Sequence, residues 1–502
     1  MRPGLTSCST HPSHSSRGAE NMSDTIETAD APVPSKGFKF PTAYTILFAL
    51  IALVALGTWI VPAGQYQRTE NAELGREVPI PGTYETVDAN PQGIVEVFLA
   101  PIGGFYNPDS YKAQAIDVAL FVIIIGGFLG VVTRTGAIDH AIERSMSALR
   151  GREIWMIPIL MAFFAVGGTT YGMAEESLAF YGLLIPVMLA ARFDAVVAVA
   201  VILLGAGIGV LGSTINPFAT VIASNAAGIA FTDGLTLRVF ILVTGWAICS
   251  AYVMRYAVKV RADPSKSIIA DKKNEIAARF KSDGHDPDAP LSRSQILTLI
   301  IFAATFAIMI WGVSSQGWWM DKMSALFIAA SILVGVASWM GEEGFIDAFM
   351  AGAKDLLGVA LIIGIARGIV VIMDAGKMTD TILHAGEGAL SGLGPIGFIN
   401  TMFGIELGLS FLVPSSSGLA VLSMPIMAPL ADFSDVDRSL VVTAYQSANG
   451  LVNLINPTFA VVMGALAIGG VPYQRWLRFM WPLLLVLVVL VMGSLTIATL
   501  IN

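Results

Sequence analysis

The sequence GGTTYGMAEES at residues 167–177 interrupts one hydrophobic stretch, and PSSSG at residues 414–418 interrupts another. The apolar arms around them cover 154–190 and 394–431. Each arm has about 13–19 residues and does not comfortably cross roughly 30 Å of hydrocarbon alone. We therefore predict two helical hairpins, each of which enters and leaves a membrane on the same side.

The helix that follows each hairpin is interrupted as well. Residues 212–217 read GSTINP and residues 449–457 read NGLVNLINP. Proline frees backbone carbonyls, and polar backbone at membrane depth persists only against protein or a water-filled cavity. Freed carbonyls suit a cation, and half-helix N-termini suit a carboxylate. A single Asn-Pro motif could instead mark a helix kink whose freed carbonyls are hydrogen-bonded by Ser and Thr side chains. Two symmetric breaks, each beside a polar hairpin, favour a substrate and ion site near the membrane midplane.

The two halves of the chain resemble each other. Gly136 and Gly376 end similar spans, Asn216 and Asn456 occupy matching Ile-Asn-Pro motifs, and both pairs are 240 positions apart. The stretch 134–153 carries four arginines, whereas its counterpart 375–393 has one basic residue, a lysine. Opposite charge bias predicts repeats of opposite orientation, the arrangement of alternating-access transporters.

Composition places most of the chain in a membrane. The 502 residues are 55% hydrophobic and 13% charged, with a mean hydropathy of +0.71, whereas a soluble domain is about 25% charged. We predict an all-α polytopic fold in a bacterial inner membrane, with a cytoplasmic N-terminus because the basic loops mark the cytoplasm. Besides the hairpins and broken helices, we place spans at about 42–62, 114–133, 295–314, 323–341 and 355–374.

Four segments are predicted. Residues 1–38 form a polar tail that we expect to be disordered; it has no apolar core of a signal peptide, and Met22 competes with Met1 as the start. The first membrane repeat covers 39–256, and a basic cytoplasmic linker covers 257–293. The second repeat covers 294–502.

Charged residues within apolar segments are costly and usually face a cavity or a partner. Glu175 and Glu176 at the first hairpin tip have three possible tasks: holding a cationic group, coordinating Na⁺ or carrying a proton. The alternative is that they pair with Arg367. Glu406, within the second hairpin, has the alternative of a structural ion pair.

The sequence does not favour a nucleic-acid-binding protein, a metalloprotein or an enzyme. The net charge of −8 does not suggest a nucleic-acid surface, and two cysteines form neither a disulfide framework nor a metal site. GIGVLG at 207–212 matches a dinucleotide fingerprint, but without a preceding strand we expect these glycines to serve helix packing. No catalytic constellation surrounds the serines at 415–417, so we predict no enzyme and no cofactor other than Na⁺ or H⁺ as a coupling ion.

Residues 167–180, RTGAID at 134–139, and PSSSG at 414–418 with Met424 and Pro425 resemble the YfcC family. This family belongs to the anaerobic C4-dicarboxylate carrier group of the ion-transporter superfamily, and the likeness covers about 38–500. It implies a homodimeric, elevator-type carrier with a scaffold part and a moving transport part. It also implies that substrate and Na⁺ bind at 167–177, 212–217, 414–418 and 449–457.

The hairpin tips depart from those of the superfamily's best-known dicarboxylate carriers, which hold carboxylates with a Ser-Asn-Thr triplet. The resemblance implies transport of an amino acid, plausibly a basic one such as arginine exchanged for ornithine, and the acid pair agrees with this substrate; the alternative is an Na⁺- or H⁺-coupled C4-dicarboxylate transporter. A passive channel is disfavoured, because polar breaks in inverted repeats suit an occluded site. The predicted substrate-binding residues are Thr169, Thr170, Glu175, Glu176, Ser177, Asn216, Ser415, Ser416, Ser417, Asn449, Asn453 and Asn456, and the predicted ion-coupling residues are Glu175, Glu176, Ser213, Thr214, Asn216 and Asn456.

Overall fold

The computed structural model describes residues 43–71, 76–108, 112–113, 115–138, 140–141, 152–280, 291–316, 318–390 and 392–501. The predicted tail 1–38, most of the stretch 134–153 and residues 281–290 of the predicted linker lie outside these residues.

Helices account for nearly all of the described secondary structure. Three antiparallel strand pairs interrupt them near the beginning: β1 (Gly64–Gln65) with β4 (Glu85–Thr86), β2 (Arg68–Asn71) with β3 (Arg76–Pro79), and β5 (Tyr106–Asn107) with β6 (Lys112–Ala113). The helices are α1 (Ala43–Gly57), α2 (Ile94–Phe105), α3 (Ile116–Arg134), α4 (Met156–Thr170), α5 (Leu178–Ala190), α6 (Ala195–Leu211), α7 (Ile222–Ala227), α8 (Leu235–Ala262), α9 (Lys273–Arg279), α10 (Arg293–Gln316), α11 (Met320–Ala337), α12 (Glu342–Ala375), α13 (Thr379–Leu390), α14 (Pro395–Leu412), α15 (Ser416–Phe433), α16 (Arg438–Val452), α17 (Ala460–Gly469) and α18 (Tyr473–Ile501).

Nine helices of the described chain are long and apolar enough to cross a membrane. The protein is therefore a multi-pass membrane protein. α12 begins 13 residues before the predicted span at 355–374 and has 34 residues. At 1.5 Å per residue it is about 51 Å long, so it extends beyond a hydrocarbon core of roughly 30 Å or crosses it at a tilt.

The first hairpin consists of α4 and α5, joined by residues 171–177. Near its start, Glu153 accepts a hydrogen bond from Arg261 at the end of α8 (3.2 Å). Just after its end, Asp194 accepts hydrogen bonds from Tyr256 and Ser267, each 2.6 Å long. Both ends of the hairpin therefore lie at the face that carries the linker, which we call the linker face.

The second hairpin consists of α14 and α15, joined by residues 413–415, and its ends lie at the opposite face. Arg438, five residues after α15, binds Asp432 (2.9 Å) and the carbonyl oxygen of Ala227, the last residue of α7 (2.7 Å). The next residue, Ser439, packs against Gly234, which precedes the start of α8, and this end of α8 is the one far from the linker. Near the start of α14, Asn400 donates to Thr496, close to the end of α18 (2.9 Å). The hairpins therefore enter from opposite faces.

The length of the hairpin arms is not what identifies the hairpins. Three of the four arms, counting the 3-10 turn before α4, are among the nine helices long enough to cross: Glu153–Thr170, Pro395–Leu412 and Ser416–Phe433. The expectation that no arm reaches across a membrane is wrong for these three. The shared face of their two ends, which only tertiary contacts reveal, is what distinguishes a hairpin from two spans.

The polar segment after α1 is held against α13 at the face opposite the linker. Arg68 binds both carboxylate oxygens of Asp380 (2.9 and 3.0 Å), and the Tyr66 hydroxyl donates to Glu387 (2.7 Å). The ring of Tyr84 stacks on His384 with a centroid distance of 4.0 Å. Burial and Glu387 raise the pKa of Tyr66 above its ordinary value, so the phenol remains a donor in this contact.

Glycines let several helices approach to backbone contact, because small residues remove the side chains that would hold them apart. A Cβ atom on Gly352 of α12 would lie 2.1 Å from the Gly126 carbonyl oxygen of α3. A Cβ atom on Gly104 of α2 would lie 2.1 Å from the Gly364 carbonyl oxygen. No helix was predicted between the spans at 42–62 and 114–133, where the apolar helix α2 lies.

The glycines of the 207–212 motif also serve packing. A Cβ atom on Gly209 of α6 would lie 2.3 Å from the Ala165 carbonyl oxygen of α4. On Gly207 it would lie 2.2 Å from Leu454 in the second repeat. The first hairpin therefore contacts α6 through backbone at this motif.

Gly352→Ala should lower the free energy of unfolding by about 1–3 kcal/mol, because the added methyl group overpacks the contact between α3 and α12. Thermal unfolding of the purified protein in detergent measures this effect. Gly404→Ala on α14 is the matched control, since no atom lies within 4 Å of its added Cβ. Equal melting temperatures of the two variants would contradict the close approach of α3 and α12.

Candidate functional site

The first break, residues 212–216 after α6, is attached to the first hairpin by side chains. Asn216 donates from Nδ2 to the Gly168 carbonyl oxygen (3.0 Å), and its Oδ1 accepts from the backbone N–H of Phe218 (2.8 Å). The Thr169 hydroxyl accepts from the backbone N–H of Thr214 (2.9 Å). One asparagine thus joins the hairpin to the break and caps the turn that follows.

The second break, residues 453–459 after α16, repeats this arrangement. Asn456 donates from Nδ2 to the Ser410 carbonyl oxygen (3.2 Å), and its Oδ1 accepts from the backbone N–H of Thr458 (3.0 Å). Asn453 donates to the Pro414 carbonyl oxygen at the tip of the second hairpin (3.0 Å). The two Asn-Pro motifs therefore have equivalent structural tasks.

Polar side chains of α16 meet the backbone that the first break frees. The fully buried Gln446 donates to the Ser213 carbonyl oxygen (2.9 Å) and accepts from the Thr220 hydroxyl (2.9 Å). Ser447 donates to the Leu211 carbonyl oxygen (3.0 Å). These carbonyls are thus satisfied by the other repeat. Gln446 was not singled out in the sequence, although it lies in the same helix as the predicted Asn449, three residues before it.

A cavity of about 500 Å³ lies where the hairpin tips, the two breaks and α12 meet. Its volume falls within the range of small-molecule sites, roughly 300–1,000 Å³. Both repeats and helices outside the hairpins line it. The predicted residues among its lining are Glu175, Glu176, Asn216, Ser415, Ser416, Ser417, Asn449 and Asn453.

The remaining predicted residues lie in the packing around the cavity. Thr169 contacts Thr214 hydroxyl to hydroxyl (3.0 Å), and Ser213 contacts Thr220 in the same way (2.6 Å). Thr170 donates to the Val166 carbonyl oxygen within its own helix (2.6 Å). The predicted residues outside the lining are Thr169, Thr170, Ser177, Ser213, Thr214 and Asn456.

The acid pair of the first hairpin faces this cavity without a cationic partner. Glu176 is 6% exposed and accepts from the backbone N–H of Ala174 (3.1 Å), and Glu175 beside it is partly buried. In the described chain, no Lys, Arg or His nitrogen lies within 4.0 Å of either carboxylate. The alternative pairing with Arg367 is not formed in this structure.

Arg367 on α12 lines the same cavity and also an adjoining one of about 540 Å³. Within the described residues its guanidinium makes no ion pair. Ser415 and Ser417 also line both cavities. The tip of the second hairpin and Arg367 therefore stand at the boundary between them.

Two asparagines of the second repeat leave hydrogen-bonding capacity unused in the cavity wall. Asn453 donates to the Asn449 side-chain oxygen (3.1 Å). The Nδ2 atom of Asn449 and the Oδ1 atom of Asn453 are buried and have no partner among the described residues. Because buried polar groups are nearly always paired, this donor and this acceptor are available to a ligand.

Asn216→Ala should weaken the attachment of the first hairpin. It leaves the Gly168 carbonyl and the Phe218 N–H unpaired, and each unsatisfied buried group costs about 1–3 kcal/mol. We expect a lower melting temperature and faster hydrogen exchange in residues 167–177. Asn225→Ala on α7 is the control, because the Asn225 side chain makes no hydrogen bond among the described residues. Unchanged exchange in the Asn216 variant would refute the attachment.

Comparisons with known proteins cover almost the whole chain. A family model for the C4-dicarboxylate anaerobic carriers (DcuC) matches residues 40–500. An uncharacterised protein of Haemophilus influenzae is 36% identical over 497 residues, covering 91% of this chain and 96% of that protein. YfcC of Escherichia coli, which is provisionally named a basic amino acid antiporter, is 29% identical over 478 residues, covering 89% and 93%.

Two solved transporter structures are similar in outline. The YdaH transporter of Alcanivorax borkumensis is 13% identical with a TM-score of 0.38, and the match covers 91% of this chain and 98% of that one. MtrF of Neisseria gonorrhoeae, described as illuminating a class of antimetabolite efflux pumps, is 15% identical with a TM-score of 0.40, and the match covers 92% and 96%.

Proposed function

The chain belongs to the C4-dicarboxylate anaerobic carrier (DcuC) family of secondary transporters, and we propose that it carries an amino acid with a cationic side chain, such as arginine exchanged for ornithine. The observation that carries this proposal is one cavity that holds both a guanidinium and two carboxylates without ion pairs between them. An amino acid with a cationic side chain can pair its carboxylate with the guanidinium and its side chain with the two carboxylates.

The carboxylate end of the substrate would bind near the second hairpin tip. Arg367 supplies a planar guanidinium, which recognises carboxylates through two parallel hydrogen bonds. Ser416 and Ser417 stand at the N-terminus of α15, an 18-residue helix whose first N–H groups and dipole favour an anion. Both features line the same cavity, so one carboxylate can meet them together.

The cationic end would meet Glu175 and Glu176 at the first hairpin tip. A carboxylate without a partner at membrane depth is costly, and a bound guanidinium or ammonium group would offset that cost. The free Asn449 donor and Asn453 acceptor fit the polar atoms between the two ends of an amino acid. The provisional name of the Escherichia coli relative agrees with this substrate class.

The family description supports a second candidate, a C4-dicarboxylate. Its two carboxylates would bind Arg367 and the N-terminal ends of α15 and α17, both of which reach the cavity. Glu175 and Glu176 would then serve only as carriers of Na⁺ or H⁺. The two candidates differ in what the acid pair binds, and substrate exchange can separate them.

Counterflow in proteoliposomes tests the substrate class. Vesicles loaded with arginine should take up labelled arginine, and vesicles loaded with succinate should not take up labelled succinate. Succinate counterflow without arginine counterflow would reject the amino acid and assign the acid pair to ion coupling. Protein-free vesicles prepared in the same way give the background.

Arg367→Gln should raise the KM for arginine by about 10- to 100-fold, because charge-assisted hydrogen bonds contribute about 1.5–3 kcal/mol. It should also reduce the preference for arginine over agmatine, which lacks the carboxylate. Arg255→Gln, at an exposed position of α8, is the control and should leave both unchanged. Full preference for arginine in the Arg367 variant would remove this residue from carboxylate binding.

Replacing both Glu175 and Glu176 with Gln should abolish arginine transport while leaving the protein in the membrane. The amides keep the shape of the tip but remove the negative charge that the cationic side chain needs. Glu342 and Glu343, an exposed adjacent pair at the start of α12, give a matched double Gln control. Undiminished arginine uptake by the Glu175/Glu176 variant would exclude the pair from the mechanism.

We also propose that the carrier works as a homodimer with elevator-type movement in a bacterial inner membrane, its N-terminus in the cytoplasm. The linker face is rich in basic residues, including Arg152, Arg192, Lys259, Arg279 and Arg475, and such a face marks the cytoplasmic side. The attachment of each hairpin to its own break supports movement of these elements as a unit.

A further inference from the structure

The second hairpin contains a carboxyl group that the substrate cavity does not use. Glu406 lies in the middle of α14, is 0% exposed and lines neither cavity. Both of its carboxylate oxygens lack a hydrogen-bond partner among the described residues. So does the fully buried hydroxyl of Ser410, one helical turn closer to the hairpin tip.

The described groups that face Glu406 carry no positive charge. From α16 the titratable group that faces it is the phenol of Tyr445, and from α15 it is faced by Ser423, whose hydroxyl donates to the Leu419 carbonyl (3.0 Å). The α13 residue that packs beside Glu406 is apolar, since Gly386 lies against Ile405. From α18, Thr496 accepts a hydrogen bond from Asn400, which is six residues before Glu406 in α14. In the described chain no cation pairs with this carboxyl.

An isolated carboxylate in an apolar interior is so poorly solvated that it becomes neutral instead. A bound metal cation would need several oxygen ligands, whereas in the described part of the chain the Ser410 hydroxyl is the one unpaired buried oxygen within a helical turn of the carboxyl group. A proton needs no additional space and gives the carboxyl a donor. We propose that Glu406 is a proton-binding site in the second hairpin and that it couples transport to a proton gradient.

The contacts around Glu406 connect it to the elements that handle substrate. The Tyr445 hydroxyl donates to the carbonyl of Ser416, which lines the cavity. The carbonyl of Ser410 accepts from Asn456 of the second break. A displacement of the hairpin tip therefore disturbs both sides of the Glu406 site.

The proton transfer is simple. When movement of the second hairpin admits water to Glu406, the carboxyl O–H bond breaks, the water becomes hydronium and the carboxylate retains one negative charge. Return to the buried arrangement requires a proton to bind again from whichever side supplies the water. The site thus makes net transport depend on pH, while one-for-one exchange proceeds with the carboxyl protonated throughout.

This inference depends on the protein being a carrier but not on which substrate it carries. Glu406→Gln mimics the neutral carboxyl, so we expect counterflow of the substrate identified above to persist in proteoliposomes. Accumulation driven by an imposed pH gradient should fall to the level without a gradient. Glu343→Gln, at an exposed position, should keep both activities. Gradient-driven accumulation equal to wild type in the Glu406 variant would overturn the proposal.

Infrared spectroscopy of the reconstituted protein tests whether Glu406 is protonated, without any transport assay. The wild type should retain a protonated-carboxyl band at neutral pH, where exposed carboxylates have ionised, and Glu406→Gln should lose part of it. Absence of the band from the wild type would refute the proton site even if Glu406→Gln fails to fold. If neither arginine nor succinate exchanges, the proposed substrates fail while this measurement still tests the site.

Discussion

An apolar membrane interior provides no water for the backbone groups that a broken helix leaves unpaired. In this protein, side chains supply the missing partners. Asn216 and Asn456 each bind a carbonyl of the neighbouring hairpin and cap the turn after the break. Gln446 of the second repeat satisfies the first break. The breaks and hairpins therefore depend on one another, and the cavity exists because they meet.

The polar groups that remain unsatisfied are the informative ones. Most buried polar groups around the breaks are hydrogen-bonded. Among the described residues, however, Arg367 and the acid pair have no ion-pair partner at the cavity, and Asn449 and Asn453 each keep one unpaired side-chain atom there. A group without a partner at this depth is expensive, so its natural partner is a ligand that arrives and leaves. The proton site proposed at Glu406 rests on the same reasoning, applied to a buried carboxyl group that lies away from the cavity.

Much of the architecture could be predicted from local sequence. Glycine, serine and proline in the middle of apolar stretches indicated the hairpins and breaks, because such residues are costly in an uninterrupted span. Eight of the predicted residues line one cavity. Other features were missed: the helix α2 between the first two predicted spans, the early start of α12, and the contribution of Gln446. Each depends on a neighbour distant in sequence, which periodicity and composition do not reveal.

The sequence alone determined that the chain is a membrane protein with two related halves, since hydropathy and repeated motifs are local properties. It also located the charged residues within apolar segments, where a charge is costly unless it faces a cavity or a partner. Only the tertiary structure decided which of these residues share a cavity and which hold the fold together. Thr169 and Asn456 are polar like Ser416 and Asn449, but they are hydrogen-bonded to a neighbouring segment, and such pairing is fixed by packing between segments distant in the chain.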